Sequence, residues 1–123
     1  MPQLPRVVNY PHVPRFQPEI PTVLTGDGAI DITFDSTTLL TKGSAAAVSV
    51  AAPGAANIGR KLIILGGSDF AHVVTFTGST LRDGTTGASI TWTSAAFQGS
   101  GLVVVAISAT GWNVVANNLG VIA

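Results

Sequence analysis

From Thr25 onward the chain is a succession of short β-type runs, each closed by glycine-bearing turns, and this punctuation points to an all-β fold. Residues 29–34 (AIDITF) alternate, with Ile30, Ile32 and Phe34 on one face and Asp31 and Thr33 on the other. Such alternation marks a half-buried strand. Residues 45–51 (AAAVSVA) point Val48 and Val50 inward, and residues 61–65 (KLIIL) read as a strand buried on both faces. Further runs stand at 72–77, 89–93, 102–107, 112–116 and 120–122. Turn signals separate them, among them Gly26-Asp27-Gly28, Lys42-Gly43-Ser44, Gly66-Gly67-Ser68-Asp69 and Thr110-Gly111. This cadence predicts a small antiparallel β-sandwich or barrel, jelly-roll-like, with Ile63, Val74, Val104 and Val114 in its core. No window holds a helical period, and the glycines follow no fixed spacing, so neither a helix nor a solenoid repeat is expected.

Ahead of this domain lies a different kind of chain. Six of the seven prolines fall within the first 21 residues. Proline fixes φ and pushes its predecessor toward extended geometry, so residues 1–24 are expected to run as an extended arm, leaving 25–123 as the β domain. The arm is studded with apolar groups, including Val7, Tyr10, Phe16 and Ile20. Disordered tails are poor in such residues. Tyr10, Phe16 and Ile20 are therefore expected to anchor the arm on a partner or a neighbouring subunit.

The charge pattern points to association as well. Charged residues make up 10% of the chain, and none occurs in residues 84–123, which also lack histidine. A soluble domain usually carries about a quarter of its residues charged, and a surface with so little charge tends to associate. Trp92, Phe97 and Trp112, in that charge-free stretch, are the candidate subunit interface. The net charge of zero offers no attraction to nucleic acid or anionic lipid. With no cysteine, disulfides and thiolate metal sites are excluded. No apolar run approaches the ~18 residues of a membrane helix, and the N-terminus has no secretory h-region. A soluble protein without membrane partners is the expectation.

Residues able to carry chemistry are few. Ser68, Asp69 and His72 could in principle form a nucleophile, orienter and base, but Ser68 sits in an ordinary glycine turn without the strained elbow and oxyanion donors that acyl transfer needs. A turn with a histidine at a strand edge is the plainer reading. Asp27, Asp31 and Asp35 recur every fourth residue, too sparsely for a calcium loop, and read as the solvated face of one strand. The glycines at 66–67 lack both the spacing of a phosphate cradle and a following helix. Arg60-Lys61 is too small a basic site for nucleic acid. Catalytic, cofactor and metal sites are all expected to be absent.

Three local patterns carry a resemblance. They are P-x-A-A-N-x-G-R-x-L from Pro53 to Leu62, A-H-x-V-T-F from Ala71 to Phe76, and a terminal G-W-x-V hairpin at Gly111, Trp112 and Val114. Over residues 45–123 the chain resembles small virion proteins of tailed bacteriophages, namely capsid decoration (cement) proteins, head-fibre proteins and related tail-fibre β domains. The resemblance implies a β-rich subunit, usually a homotrimer, that attaches to the major capsid protein and has no chemistry of its own. It implies manufacture in the host cytoplasm and residence on the capsid surface of the virion. The alternatives are a tail, baseplate or fibre subunit, and a carbohydrate-binding β module using Trp92 or Trp112.

Overall fold

The computed structural model of the chain describes residues 20–82, 86–87, 89–92 and 100–122. Their strands, in chain order, are β1 (Thr22–Leu24), β2 (Gly28–Ala29), β3 (Ser36–Leu40), β4 (Ala47–Ala51), β5 (Lys61–Gly66), β6 (Val73–Thr77), β7 (Thr80–Arg82), β8 (Thr86–Gly87), β9 (Ser89–Trp92), β10 (Gly101–Ser108), β11 (Gly111–Asn118) and β12 (Gly120–Ile122). The all-β class is as expected. Sheet A has the order β1-β3-β5-β10-β11-β7-β8, and sheet B the order β12-β9-β6-β4-β2. β1 falls inside the segment assigned to the arm, so the domain begins at least three residues before Thr25.

The pairing departs from the antiparallel, jelly-roll-like expectation. β1, β3 and β5 lie parallel in sheet A, while β2, β4 and β6 lie parallel in sheet B. From β1 to β6 the chain therefore changes sheet at every strand and winds as a stack of rungs. Parallel neighbours need a crossover connection, and here the strand in the opposite sheet supplies it. Ser36 faces Leu62 and Ala47 faces Val73, an offset of 26 residues in both ladders. One rung earlier the offsets are 16, from Thr22 to Thr38, and 20, from Gly28 to Val48. Rungs of unequal length leave no period in the sequence, which is why the winding could not be read there. Antiparallel pairs then extend the stack, β10 on β5, β11 on β10, β9 on β6 and β12 on β9, while β7 joins β11 in parallel and carries β8 antiparallel at the edge of sheet A.

One core fills the space between the sheets. Sheet A contributes Leu40, Leu62, Ile64, Leu102, Val104 and Trp112, and sheet B contributes Val48, Val50, Val74 and Phe76. Val74 and Val104 are buried as expected, and Val114 packs against the core half-covered. Ile63 is a correction. β5 alternates, with Leu62 and Ile64 fully buried and Ile63 half-buried on the opposite face. That strand is not buried on both faces, because no second layer covers sheet A from outside among the described residues.

The strand expected over residues 29–34 is also corrected. Only Gly28–Ala29 pairs. Asp31 ends the run, because its carboxylate accepts from the Thr33 backbone N–H at 2.9 Å and from the Thr33 hydroxyl at 2.6 Å. Such a side-chain turn competes with a sheet ladder. Ile30 still reaches the core, while Phe34 is left 48% exposed.

Candidate functional site

One cluster of polar groups, which includes His72 and Ser68, lies where the chain crosses from sheet A to sheet B. Three crossings stack at that corner: residues 25–27, 41–46 and 67–72. Asp27 on the first rung accepts from Lys42 Nζ at 2.8 Å and from the Ala47 N–H at 2.9 Å on the second. These contacts hold its carboxyl below the usual carboxylate range, the Lys42 hydrogen bond being the larger cause. His72 on the third rung is fully buried, and its Nδ1 accepts from the Ala46 N–H at 3.0 Å. In the neutral ring the proton is then on Nε2, which stands 3.1 Å from Ser68 Oγ. Ser68 in turn donates to the Lys42 carbonyl at 2.8 Å.

The direction of this chain of hydrogen bonds decides its role. A nucleophilic serine must give its proton to the histidine. Here the serine receives from the ring, and its own proton is held by a backbone carbonyl. Both ring nitrogens are engaged, so the imidazole is oriented by Ala46 and Ser68 rather than by the exposed Asp69. Burial lowers the His72 pKa from its ordinary value, which favours the same neutral form. The cluster is a staple between rungs.

Asp27, Asp31 and Asp35 do not share one strand face. Asp31 closes its own turn, as described. Asp35 accepts from the Lys61 N–H at 3.0 Å and lies 3.5 Å from Arg60 Nη1 at the opposite corner. Arg60 also donates to Asn57 Oδ1 at 3.0 Å, and Asn57 Nδ2 donates to the Pro53 carbonyl at 3.0 Å. The sequence pattern from Pro53 to Leu62 thus builds a 3-10 turn, Ala55–Asn57, that feeds β5. Among the described residues, no group of three or more acidic or histidine side chains is placed to hold a metal.

What the domain presents outward is an asymmetric pair of faces. On sheet B the outward positions of β4 and β6 are mostly small or hydroxylic, Ala47, Ser49, Ala51, Thr75 and Thr77, with Val73 the one larger aliphatic among them. On sheet A they are mostly aliphatic, with Thr37 opposite Ile63 and Asn113 opposite Val105 as polar exceptions. Val23, Leu39 and Leu65 lie side by side across β1, β3 and β5, and Ile63 pairs with Val103 across β5 and β10. Val105 extends the patch along β10, and Val115, at an irregularity in the β10–β11 register, extends it onto β11. Val23 is 52% and Val115 64% exposed, and Leu39, Leu65, Ile63 and Val103 are half-buried. Lys61 and Arg82 are the charges on this face, both at one margin. A solvated sheet face normally alternates polar outward, so this surface has the composition of one meant to be covered.

The expected site residues fall unevenly. Tyr10, Phe16 and Phe97 lie outside the described residues. Ile20 is 89% exposed at the start of the described chain, directly ahead of β1. Trp92 is placed as the backbone position opposite Gly120. Trp112 is a correction. It is fully buried, its ring centroid stands 6.2 Å from that of Phe76, and its Nε1–H donates to the Ala51 carbonyl at 3.1 Å. It joins the two sheets and offers nothing to a neighbouring subunit or a sugar. The aliphatic face of sheet A was missed because 61–65 and 102–107 read as continuous apolar runs, which do not reveal that one side is left open. No family model, no curated protein and no solved structure matches the chain. Among the described residues, no helix is long and apolar enough to cross a membrane.

Proposed function

We propose that the chain is a virion structural protein, a capsid decoration protein that binds the coat-protein shell as an oligomer and stabilises it. The observation that carries this reading is the largely aliphatic outer face of sheet A, on a domain whose described polar clusters are tied up in internal hydrogen bonds. A domain of this kind offers surface for burial. Many weak contacts per oligomer add through avidity. Clamping adjacent coat subunits favours the assembled shell, because whatever binds only that state stabilises it. The major capsid protein is the partner, the capsid surface the location, and no cofactor takes part.

One observation favours a second place in the same particle. The rungs from β1 to β6 stack along an axis, and stacked rungs suit elongated assemblies, such as a tail, baseplate or fibre. Copy number separates the two. Quantitative mass spectrometry of particles purified from the infected host is expected to find this chain in amounts comparable to the coat protein. A handful of copies per particle assigns it to the tail, and absence from particles overturns both readings.

A further inference from the structure

We propose that the outer face of sheet A is covered by the N-terminal arm of a second copy of this chain, so that subunits assemble by exchanging arms. The inference rests on the reading of the chain as an assembling structural subunit and names the contact that would hold the subunits together.

Three observations meet at this face. First, the surface needing cover is largely aliphatic: Val23, Leu39, Leu65, Ile63, Val103 and Val105 contribute to it, with Thr37 and Asn113 at its polar positions. Second, the chain ahead of Ile20 is rich in groups needing burial, with Leu4, Val7, Val8, Tyr10, Val13 and Phe16 in its first 19 residues. Its prolines lower the entropy lost when such a strip is laid on a surface. Third, the arm joins the domain at the edge strand of that same sheet, since Pro21 leads directly into β1, whose Val23 begins the patch.

The length of the arm permits contact with a neighbour, and the chain just ahead of β1 favours that over the arm's own domain. The patch crosses β1, β3, β5, β10 and β11, four strand spacings or about 19 Å. Nineteen residues at the extended polyproline rise reach about 59 Å, roughly three times what is needed to cross it. To lie on its own sheet the arm would have to reverse just before β1. Pro18 and Pro21 bias that point toward extension, and Ile20 between them is 89% exposed rather than tucked against the domain. An arm that does not turn back at this point has the length to reach a second copy.

The absence of cysteine makes the contact directly readable. Full-length chain carrying Phe16→Cys is incubated with a mass-tagged chain carrying Val103→Cys, allowed to exchange subunits, and oxidised mildly. A disulfide between the two chains is expected, at about tenfold higher yield than with Thr75→Cys on sheet B as partner, given the local concentration a docked arm imposes. Equal yields at Val103 and Thr75 overturn the proposal. So does a cross-link that forms only when Phe16→Cys and Val103→Cys are placed in one chain, which would make the arm an internal strap. Light scattering supplies a second reading: the wild type is expected to be an oligomer at micromolar concentration, and Val103→Asp or removal of residues 1–19 to give folded monomer. A monomeric wild type overturns it. All of these measurements use isolated protein, whereas the decoration reading is tested on particles, so either can fail without the other.

Discussion

At the scale of single residues, His72 carries more structural weight than its place at a strand edge suggested. Its ring fills a buried corner and satisfies the Ala46 N–H. Replacing it with alanine removes that volume and leaves a buried donor unpaired, so His72→Ala is expected to cost about 3 kcal/mol in denaturant unfolding. The same residue makes the domain acid-sensitive. Burial lowers its pKa below the ordinary 6.5, so the unfolded chain takes up the proton first as pH falls. Its contribution is whole above about 6.5 and declines below it, down to the lowered folded value. Protonating Nδ1 would set a second donor against the Ala46 N–H. Midpoints of urea unfolding are therefore expected to fall between pH 7 and pH 5 in the wild type, and much less in His72→Ala. Asp27 and Asp31, both held below 3.8, add a further loss only below that value.

At the scale of elements, the alternation of β5 sets two neighbouring residues apart. Leu62→Ala opens a cavity in the shared core and is expected to cost 2–5 kcal/mol, roughly the usual large-to-small range. Ile63→Ala trims a half-covered outer position and should cost the isolated domain clearly less, with its effect appearing in association instead. Urea unfolding of both variants checks this, and a larger loss for Ile63→Ala would mean that the register of β5 is wrong. The corner between β5 and β6 gives a second test. A Cβ on Gly67 would stand 2.9 Å from Leu39 Cδ1 and 3.1 Å from the Leu40 carbonyl oxygen, the acceptor of the Gly67 N–H at 2.8 Å. Gly67→Ala is thus expected to loosen the second rung from the third and lower the melting temperature. These cases also show what could be read from sequence. Val48, Val50, Val74 and Val104 were legible because alternation or a β-branched run marks a buried strand. β3, with the sequence STTLL, was not, since two of its three inward positions are Ser36 and Thr38, and buried hydroxyls break the apolar pattern. The rung winding was hidden by unequal crossings. Trp112 was misplaced because a tryptophan in a charge-free stretch reads alike whether it covers a neighbour or joins two sheets. The staple at His72 showed only as a local Ser-x-x-x-His spacing, and its essential partners, Ala46 and Lys42, come from another rung.

At the scale of the whole molecule, the boundary between arm and domain decides what can be removed. Residues 1–19 precede every described strand, so their deletion is expected to leave the fold intact. Residues 22–24 are different. β1 covers the edge of β3, Leu24 packs on the core, and the Leu24 carbonyl accepts from the Thr41 N–H at 2.9 Å. A chain beginning at Thr25 would lose that side chain and uncover one side of β3. Loss of a partly buried leucine and its ladder bonds should cost about 2–4 kcal/mol, equivalent to a fall of roughly 10–25 °C in melting temperature for a domain of this size. Thermal unfolding of the two truncations at several protein concentrations separates the contributions. If residues 1–19 act between subunits, the full chain should melt at a temperature that rises with concentration, and the first truncation at one that does not. The second truncation should melt lower still, again without concentration dependence. Equal melting of both truncations would place the whole N-terminal segment outside the cooperative fold, and β1 would then be no part of sheet A in solution.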